Sequence, residues 1–350
     1  MKKKKVLVCS AKTPFMYGGA EIHAENLRYN LEARGFDTEL INLPFKWYPN
    51  ERLITECLTW NMIDLTEANG EKIDLVIPLK FPSYFVRHEN KVTWLMHQYR
   101  PIYDLYGTKY SDFDLNNGFH RKIRDQVIKI DEKALLESKK IFANSKNVSN
   151  RLYKYNKIQS EPLYHPPKNI GKYFTEKSRN YILSVGRLDP LKRVDIIIKA
   201  LKFCDKNISA IIAGTGGMEK DLRKLAEKEG VSDRVKFTGF VTDEELIKLY
   251  AEALAVMFPP VDEDYGYITI ESFLSKKPVL TASDSGGSLE FVVDNRNGFI
   301  CDTAEEFGEK INFLYKNKRI AEDMGIEGYE AVKGISWDNV IDRLTESIRY

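Results

Sequence analysis

Short apolar runs alternate with amphipathic segments along the whole chain, the pattern of parallel sheets covered by helices. In the first half, Lys5 to Ser10, Thr38 to Leu43, Leu75 to Leu79, Val92 to Met96 and Lys140 to Ala143 read as strands. Glu21 to Gly35 and Arg121 to Ser138 read as helices, with Gly35 placed as a C-cap. The second half is more regular. Tyr181 to Val185, Ala210 to Ala213, Val235 to Thr238, Ala253 to Phe258, Pro278 to Thr281 and Phe299 to Cys301 read as strands, each followed by a helical pattern. The last helix opens on Ser336 and carries Trp337, Val340, Ile341 and Leu344 at helical spacing, so it needs a surface to pack against.

Between the halves, Glu161 to Gly171 holds three prolines and little apolar periodicity, as a linker does. A boundary near residue 170 follows, giving domains 1–170 and 171–335 with 336–350 returning to the first. At 350 residues the chain is also larger than one core usually supports. The segment Tyr99 to Asn117, rich in Tyr, Asp, Gly and Asn, reads as a functional loop.

Composition narrows the class. With 43% hydrophobic and 30% charged residues this is a globular chain, and no apolar run reaches the roughly 20 residues that span a bilayer. The run after the opening lysines is too short for a signal peptide, so the expected location is cytoplasmic. Cys9, Cys57, Cys204 and Cys301 lie far apart, which argues against a zinc site or disulfide framework. The net charge of +2 conceals a basic first half and an acidic second half. A basic half suits an anionic membrane surface or an acidic acceptor, and an ordinary solvated surface equally well. No feature points to nucleic acid.

Candidate chemistry gathers where strands end. Gly18-Gly19 opens the first helix, where glycine backbone and free amides can approach a phosphate. Ser184-Val-Gly186-Arg187-Leu-Asp-Pro-Leu-Lys192 places a guanidinium fork and an ammonium just past the first strand of the second sheet, a pair suited to a diphosphate. Glycine turns follow at Ala213-Gly214-Thr-Gly-Gly217 and Ser285-Gly-Gly287. Glu263-Asp-Tyr-Gly-Tyr-Ile-Thr-Ile-Glu271 sets two carboxylates around a glycine between a strand and a helix. All of these lie at the C-terminal ends of strands, the rim at which α/β proteins bind ligands. Together they suit a nucleotide-sugar, with a diphosphate for the cations and a ribose for a carboxylate.

These segments, Tyr17-Gly-Gly-Ala-Glu21, Gly186-Arg-Leu-Asp-Pro-Leu-Lys192, Ala213-Gly-Thr-Gly216, Phe237-Thr-Gly-Phe-Val241 and Glu263 to Glu271, in this order resemble retaining glycosyltransferases of family 4. The resemblance spans nearly the whole chain and is most specific between residues 181 and 300. It implies an α/β GT-B fold, two Rossmann-like parallel-sheet domains facing a central cleft. It further implies Glu271 on the ribose, Arg187 and Lys192 on the diphosphate, Gly18 and Gly19 on the phosphates from the opposite domain, and Glu263 on the donor sugar. Gly214 lies in the turn beside the ligand, backbone near Phe240 meets the base, and amides of Gly266, Tyr267 and Ile268 reach sugar or phosphate. His97, at a strand end, matches a histidine beside the donor sugar, and Tyr99, Arg100, Tyr103, Asp104 and Tyr106 lie just beyond, as candidates for the acceptor pocket.

Two departures stand out: Asp264-Tyr265-Gly266 where relatives usually carry Pro-Phe-Gly, and Ser275-Lys276-Lys277 in place of small residues. The implied reaction moves a hexose from a UDP-, GDP- or dTDP-sugar to a glycan or lipid-linked acceptor, with retention by front-face attack. With Glu271 on ribose and Glu263 on a donor hydroxyl, no carboxylate is left as a glycosidase-type nucleophile. No cofactor and no metal are expected, the basic pair standing in for a divalent ion. The competing readings are a non-catalytic sugar- or nucleotide-binding module and a nucleotide-sugar epimerase of similar fold.

Overall fold

The computed structural model describes residues 2–349. The chain divides into two compact units, Met1–Lys168 with Ser336–Tyr350, and Asn169–Ile335.

The first unit contains β1 (Lys5–Lys12), α1 (Gly19–Glu32), β2 (Asp37–Pro44), α2 (Arg52–Met62), β3 (Leu75–Pro78), β4 (Val92–Leu95), α3 (Gly118–Leu136), β5 (Lys140–Ala143), α4 (Lys146–Asn156) and the short β6 (Glu161–Pro162). These strands pair in parallel, in the orders β2-β1-β3 and β4-β5-β6, and a small antiparallel hairpin joins Glu67–Ala68 to Glu71–Lys72. The two sets are stitched together where Val76 N–H donates to Asn90 O at 3.1 Å and Met96 N–H to Leu79 O at 2.7 Å. Because such a sheet is covered on both faces, its strands are continuous apolar runs: Val6, Val8, Leu75, Ile77, Trp94 and Phe142 are buried on one face, Cys9, Val76, Leu95 and Ala143 on the other. The helix Trp337–Leu344 closes the first of these cores. Its Ser336 Oγ accepts from Asn339 N–H at 3.3 Å, and the Trp337 ring meets Trp94 edge-on at 6.2 Å.

The second unit contains β7 (Tyr181–Val185), α5 (Val194–Leu201), β8 (Ser209–Ala213), α6 (Glu219–Lys228), β9 (Val235–Gly239), α7 (Asp243–Glu252), β10 (Ala255–Met257), α8 (Tyr267–Leu274), β11 (Val279–Thr281), β12 (Gly298–Ile300), α9 (Ala304–Lys316) and α10 (Lys318–Val332). Its six strands run parallel in the order β9-β8-β7-β10-β11-β12. From β7 the chain builds outward on one side, then returns at β10 to build outward on the other. The crevice above β7 and β10 is therefore the topological switch point, where open α/β sheets bind ligands.

Some local expectations need correction. Helix α1 ends at Glu32 with Ala33 as its C-cap, and Gly35 lies in the following turn at φ +90°. The segment after Tyr99 is folded rather than open: it forms a 3-10 turn over Arg100–Ile102, and Tyr103 is buried in the core. Helix α2 starts after Glu51, which makes no side-chain cap. All four cysteines are free and buried, and no helix among the described residues is long and apolar enough to cross a membrane.

Candidate functional site

In the second unit the loops after β7 and β10 bring the predicted charged residues to the switch point. Gly186 leaves β7 at φ +129°, a conformation that L side chains rarely adopt, and turns the chain so that Arg187 projects outward. The Arg187 side chain is 63% exposed and reaches Asp189 at 3.5 Å. Asp189 in turn caps the next turn through Leu191 N–H at 3.1 Å, which presents Lys192.

Lys192 does not stand alone. Its ammonium forms a direct ion pair with Glu263 and lies 5.5 Å from the centre of the Phe258 ring. The two groups assigned separately to phosphate and sugar are thus each other's partner here, in a part-buried setting. Arg193, which the sequence reading passed over, holds the loop they share. Its guanidinium donates to Pro259 O at 2.6 Å and Pro260 O at 2.7 Å and pairs with Asp284, so the exits of β7, β10 and β11 are tied by one side chain.

Glu271 sits within α8, one turn past Gly266. Its carboxylate accepts from Tyr250 Oη–H at 2.8 Å, and Tyr173 is a second donor. Burial raises the Glu271 carboxyl above the ordinary carboxylate range, the two phenols act in the opposite direction, and Asp243 adds to the rise. Gly266 caps α8 at φ +82°. A Cβ there would lie 2.8 Å from Ser288 Oγ, a buried hydroxyl without a hydrogen-bond partner among the described residues. Tyr267 and Ile268 follow in the first turn of α8, with Tyr267 edge-on to Tyr265 at 5.4 Å. Phe240, just past β9, is 85% exposed.

Gly214 has a structural reason of its own. At φ +141° a Cβ would stand 1.9 Å from Gly186 O, and at Gly216 one would stand 2.4 Å from Leu188 O. These glycines let the β8 exit lie against the Arg187 loop, a close approach of backbone to backbone.

In the first unit, Gly18 N–H is already satisfied by Glu21 Oε2 at 2.9 Å, reaching back within the first turn. Gly19 begins α1 beside it. The other Glu21 oxygen lies 3.6 Å from Lys80 Nζ, just beyond β3. Burial pulls the Lys80 ammonium below the ordinary lysine range, against the attraction of Glu21. His97 follows β4, its Nδ1 2.9 Å from Gln98 O. Lys80, His97 and Tyr99 share a hollow of about 270 Å³ with Phe45, Trp47 and Phe81.

Of this hollow only His97 and Tyr99 were marked in the sequence; Phe45 and Trp47 come from the loop after β2, and Lys80 and Phe81 from the loop after β3, with no motif to link them. Tyr103, expected in the pocket, instead donates to buried Asp131 at 2.6 Å. Tyr84 donates to the same carboxylate at 2.5 Å and Gln98 at 3.0 Å. Burial pushes Asp131 up to about 6 in spite of these three donors. Arg100 pairs with Asp104 at 2.6 Å, and Tyr106 lies under Arg124, so both are engaged locally.

Two Asp-x-Asp triplets occur, Asp112-Phe113-Asp114 and Asp262-Glu263-Asp264. Among the described residues no group of three or more His, Cys, Asp or Glu side chains is arranged to hold a metal ion.

Residues 167–331 match the family model described as glycosyl transferases group 1. Over 219 residues the chain is 29% identical to an uncharacterized glycosyltransferase of Methanocaldococcus jannaschii, the alignment covering 59% of this chain and 58% of the relative. The chain spans about half the length of the curated relatives it matches. Sucrose-phosphate synthase from Thermosynechococcus elongatus superposes with a TM-score of 0.80 at 15% identity, over 99% of this chain and 98% of the other. HepE of Anabaena, solved with UDP and glucose, gives 0.70 at 18% identity over 99% of both. The second unit thus matches the glycosyl transferases group 1 model over residues 167–331, on a chain with the GT-B fold.

Proposed function

We propose that the protein is a retaining, metal-independent glycosyltransferase that moves a hexose-type sugar from a nucleoside-diphosphate donor to a glycan or lipid-linked acceptor. The observation that carries this reading is the convergence of Arg187, the Lys192–Glu263 pair and the Glu271 carboxylate on the exits of β7 and β10. The relative HepE, with UDP and glucose in its structure, supports a nucleotide-sugar as the ligand class.

Each group has a task that its surroundings favour. Glu271, held by Tyr250 and Tyr173, accepts hydrogen bonds from the ribose hydroxyls. Arg187 offers a planar fork to the diphosphate. Lys192 moves from Glu263 to the diphosphate as charge grows on the departing phosphate, where a preorganised cation contributes most. Glu263, released from Lys192, accepts from a hydroxyl of the donor sugar. A contact of His97 with the donor sugar is the role that the family resemblance implies for it, and the leaving diphosphate takes the acceptor proton in front-face attack. The basic N-terminal half favours peripheral contact with an anionic membrane that presents the acceptor.

Incubating the protein with UDP-, GDP- and dTDP-hexoses and mixed glycan and lipid-linked acceptors, in excess chelator, tests this. Transfer with the anomeric configuration kept, unchanged by chelator, supports the reading. Inversion, or activity that returns only with magnesium or manganese, contradicts it.

A further inference from the structure

The hollow in the first unit has an unusual composition. Phe45, Trp47, Phe81 and Tyr99 form its wall, with ring centres 5.5 to 6.3 Å apart where they meet, and its polar groups include Lys80 and the His97 imidazole. A volume of about 270 Å³ suits a single ring rather than an extended chain.

Lys80 is the informative residue. Its side chain is only 12% exposed, and among the described residues Glu21 is the one carboxylate in ion-pair reach, at 3.6 Å. That carboxylate is shared, because its other oxygen caps Gly18 N–H. A desolvated ammonium with one long, shared partner is costly, and the cost falls when an anion completes its three donors.

We propose that this hollow is the acceptor subsite and that it takes a sugar ring bearing a phosphate or a carboxylate, with Lys80 Nζ on the anion and the aromatic faces against the ring. The assignment of an acceptor to this unit rests on the function proposed above, whereas the preference for an anion rests on Lys80 alone. Aromatic faces bind the apolar face of any pyranose, so they select a ring without selecting its charge. Lys80 supplies the charge selection. A charge-assisted hydrogen bond in a desolvated pocket should favour the anion by about tenfold or more.

The test uses the full chain and three probes: glucose 6-phosphate, glucuronate and methyl glucoside. Binding is followed through the Trp47 indole N–H resonance, assigned with Trp47→Phe. Glucose 6-phosphate or glucuronate should bind about tenfold more tightly than methyl glucoside, and the tighter of the two identifies the anion. Lys80→Met should bring both down to the methyl glucoside level, and Lys80→Arg should restore the preference, which separates charge from loss of folding. Equal affinities for all three probes, no binding of either anion at millimolar concentration, or a preference that survives in Lys80→Met would overturn the proposal. Displacement of the probe by UDP would overturn it too, since Lys80 would then belong to the donor. UDP, GDP, dTDP and ADP affinities measured on the same samples report separately on the transferase reading, which can fail while the anion preference stands.

Discussion

Lys192 and Glu263, 71 positions apart in the chain, form an ion pair beside the ring of Phe258, at the exits of adjacent strands β7 and β10. Each orients the other in the part-buried crevice, so neither can be removed without freeing its partner. Lys192→Ala should lower turnover at least about tenfold, and Glu263→Gln should do so too. The double variant should lose less than the product of the two single losses, because the pair acts as a unit. Fully multiplicative losses in kcat would show that the two residues act independently.

Gly214 gives a stability prediction with its own control. Gly214→Ala forces a Cβ to within 1.9 Å of Gly186 O at a φ of +141°, and nothing nearby is flexible enough to yield. A loss of at least about 2 kcal/mol is expected from overpacking and strain. Gly217→Ala, three residues on, meets nothing within 4 Å and should change stability by no more than about 0.5 kcal/mol. Urea unfolding of the two variants checks this, and equal stabilities would contradict the packing account.

Asp131 predicts a pH dependence of stability. Its carboxyl titrates near 6 in the folded chain instead of its ordinary 3.8. Between these values the folded state binds more protons than the unfolded one, so this residue's contribution falls as pH rises from about 4 to about 6. Below that window the penalty is absent, and above it the penalty is complete at about 3 kcal/mol. Asp131→Asn removes the titration, so the stability difference between wild type and variant should change across this window and be flat outside it. Parallel stability curves from pH 4 to pH 7 would count against a raised carboxyl.

Much of the fold was written locally in the sequence. The run Tyr181 to Val185 is a strand at those same ends because both faces of a parallel sheet demand apolar residues, and Ser336 announces the last helix because its hydroxyl caps it. The run Ala253 to Phe258 overshoots: only Ala255–Met257 pair as strand, since burial continues past the ladder at both ends. Ser145, which caps α4 by accepting from Val148 N–H, is a start signal of the same kind.

The candidate site was legible as a set of residue types at strand ends, but not as a set of contacts. Periodicity cannot say that Lys192 meets Glu263, that Glu21 rather than a ligand occupies Gly18 N–H, or that Gly214 is small for the sake of Gly186 O. The aromatic hollow around Lys80 was legible only at His97 and Tyr99 for the same reason. Phe45, Trp47, Lys80 and Phe81 join them from the loops after β2 and β3, brought together only by the order of the strands.

The central claim is that Glu271 and its neighbours at the switch point hold the nucleotide of the donor. Thermal unfolding of wild type and Glu271→Ala with UDP, GDP, dTDP and ADP tests it most directly, because a ligand that prefers the folded state raises its stability. The account predicts that at least one nucleoside diphosphate raises the wild-type melting temperature with rising concentration, and that the shift is largely lost in Glu271→Ala. No shift with any of the four, or an equal shift in the variant, would contradict it.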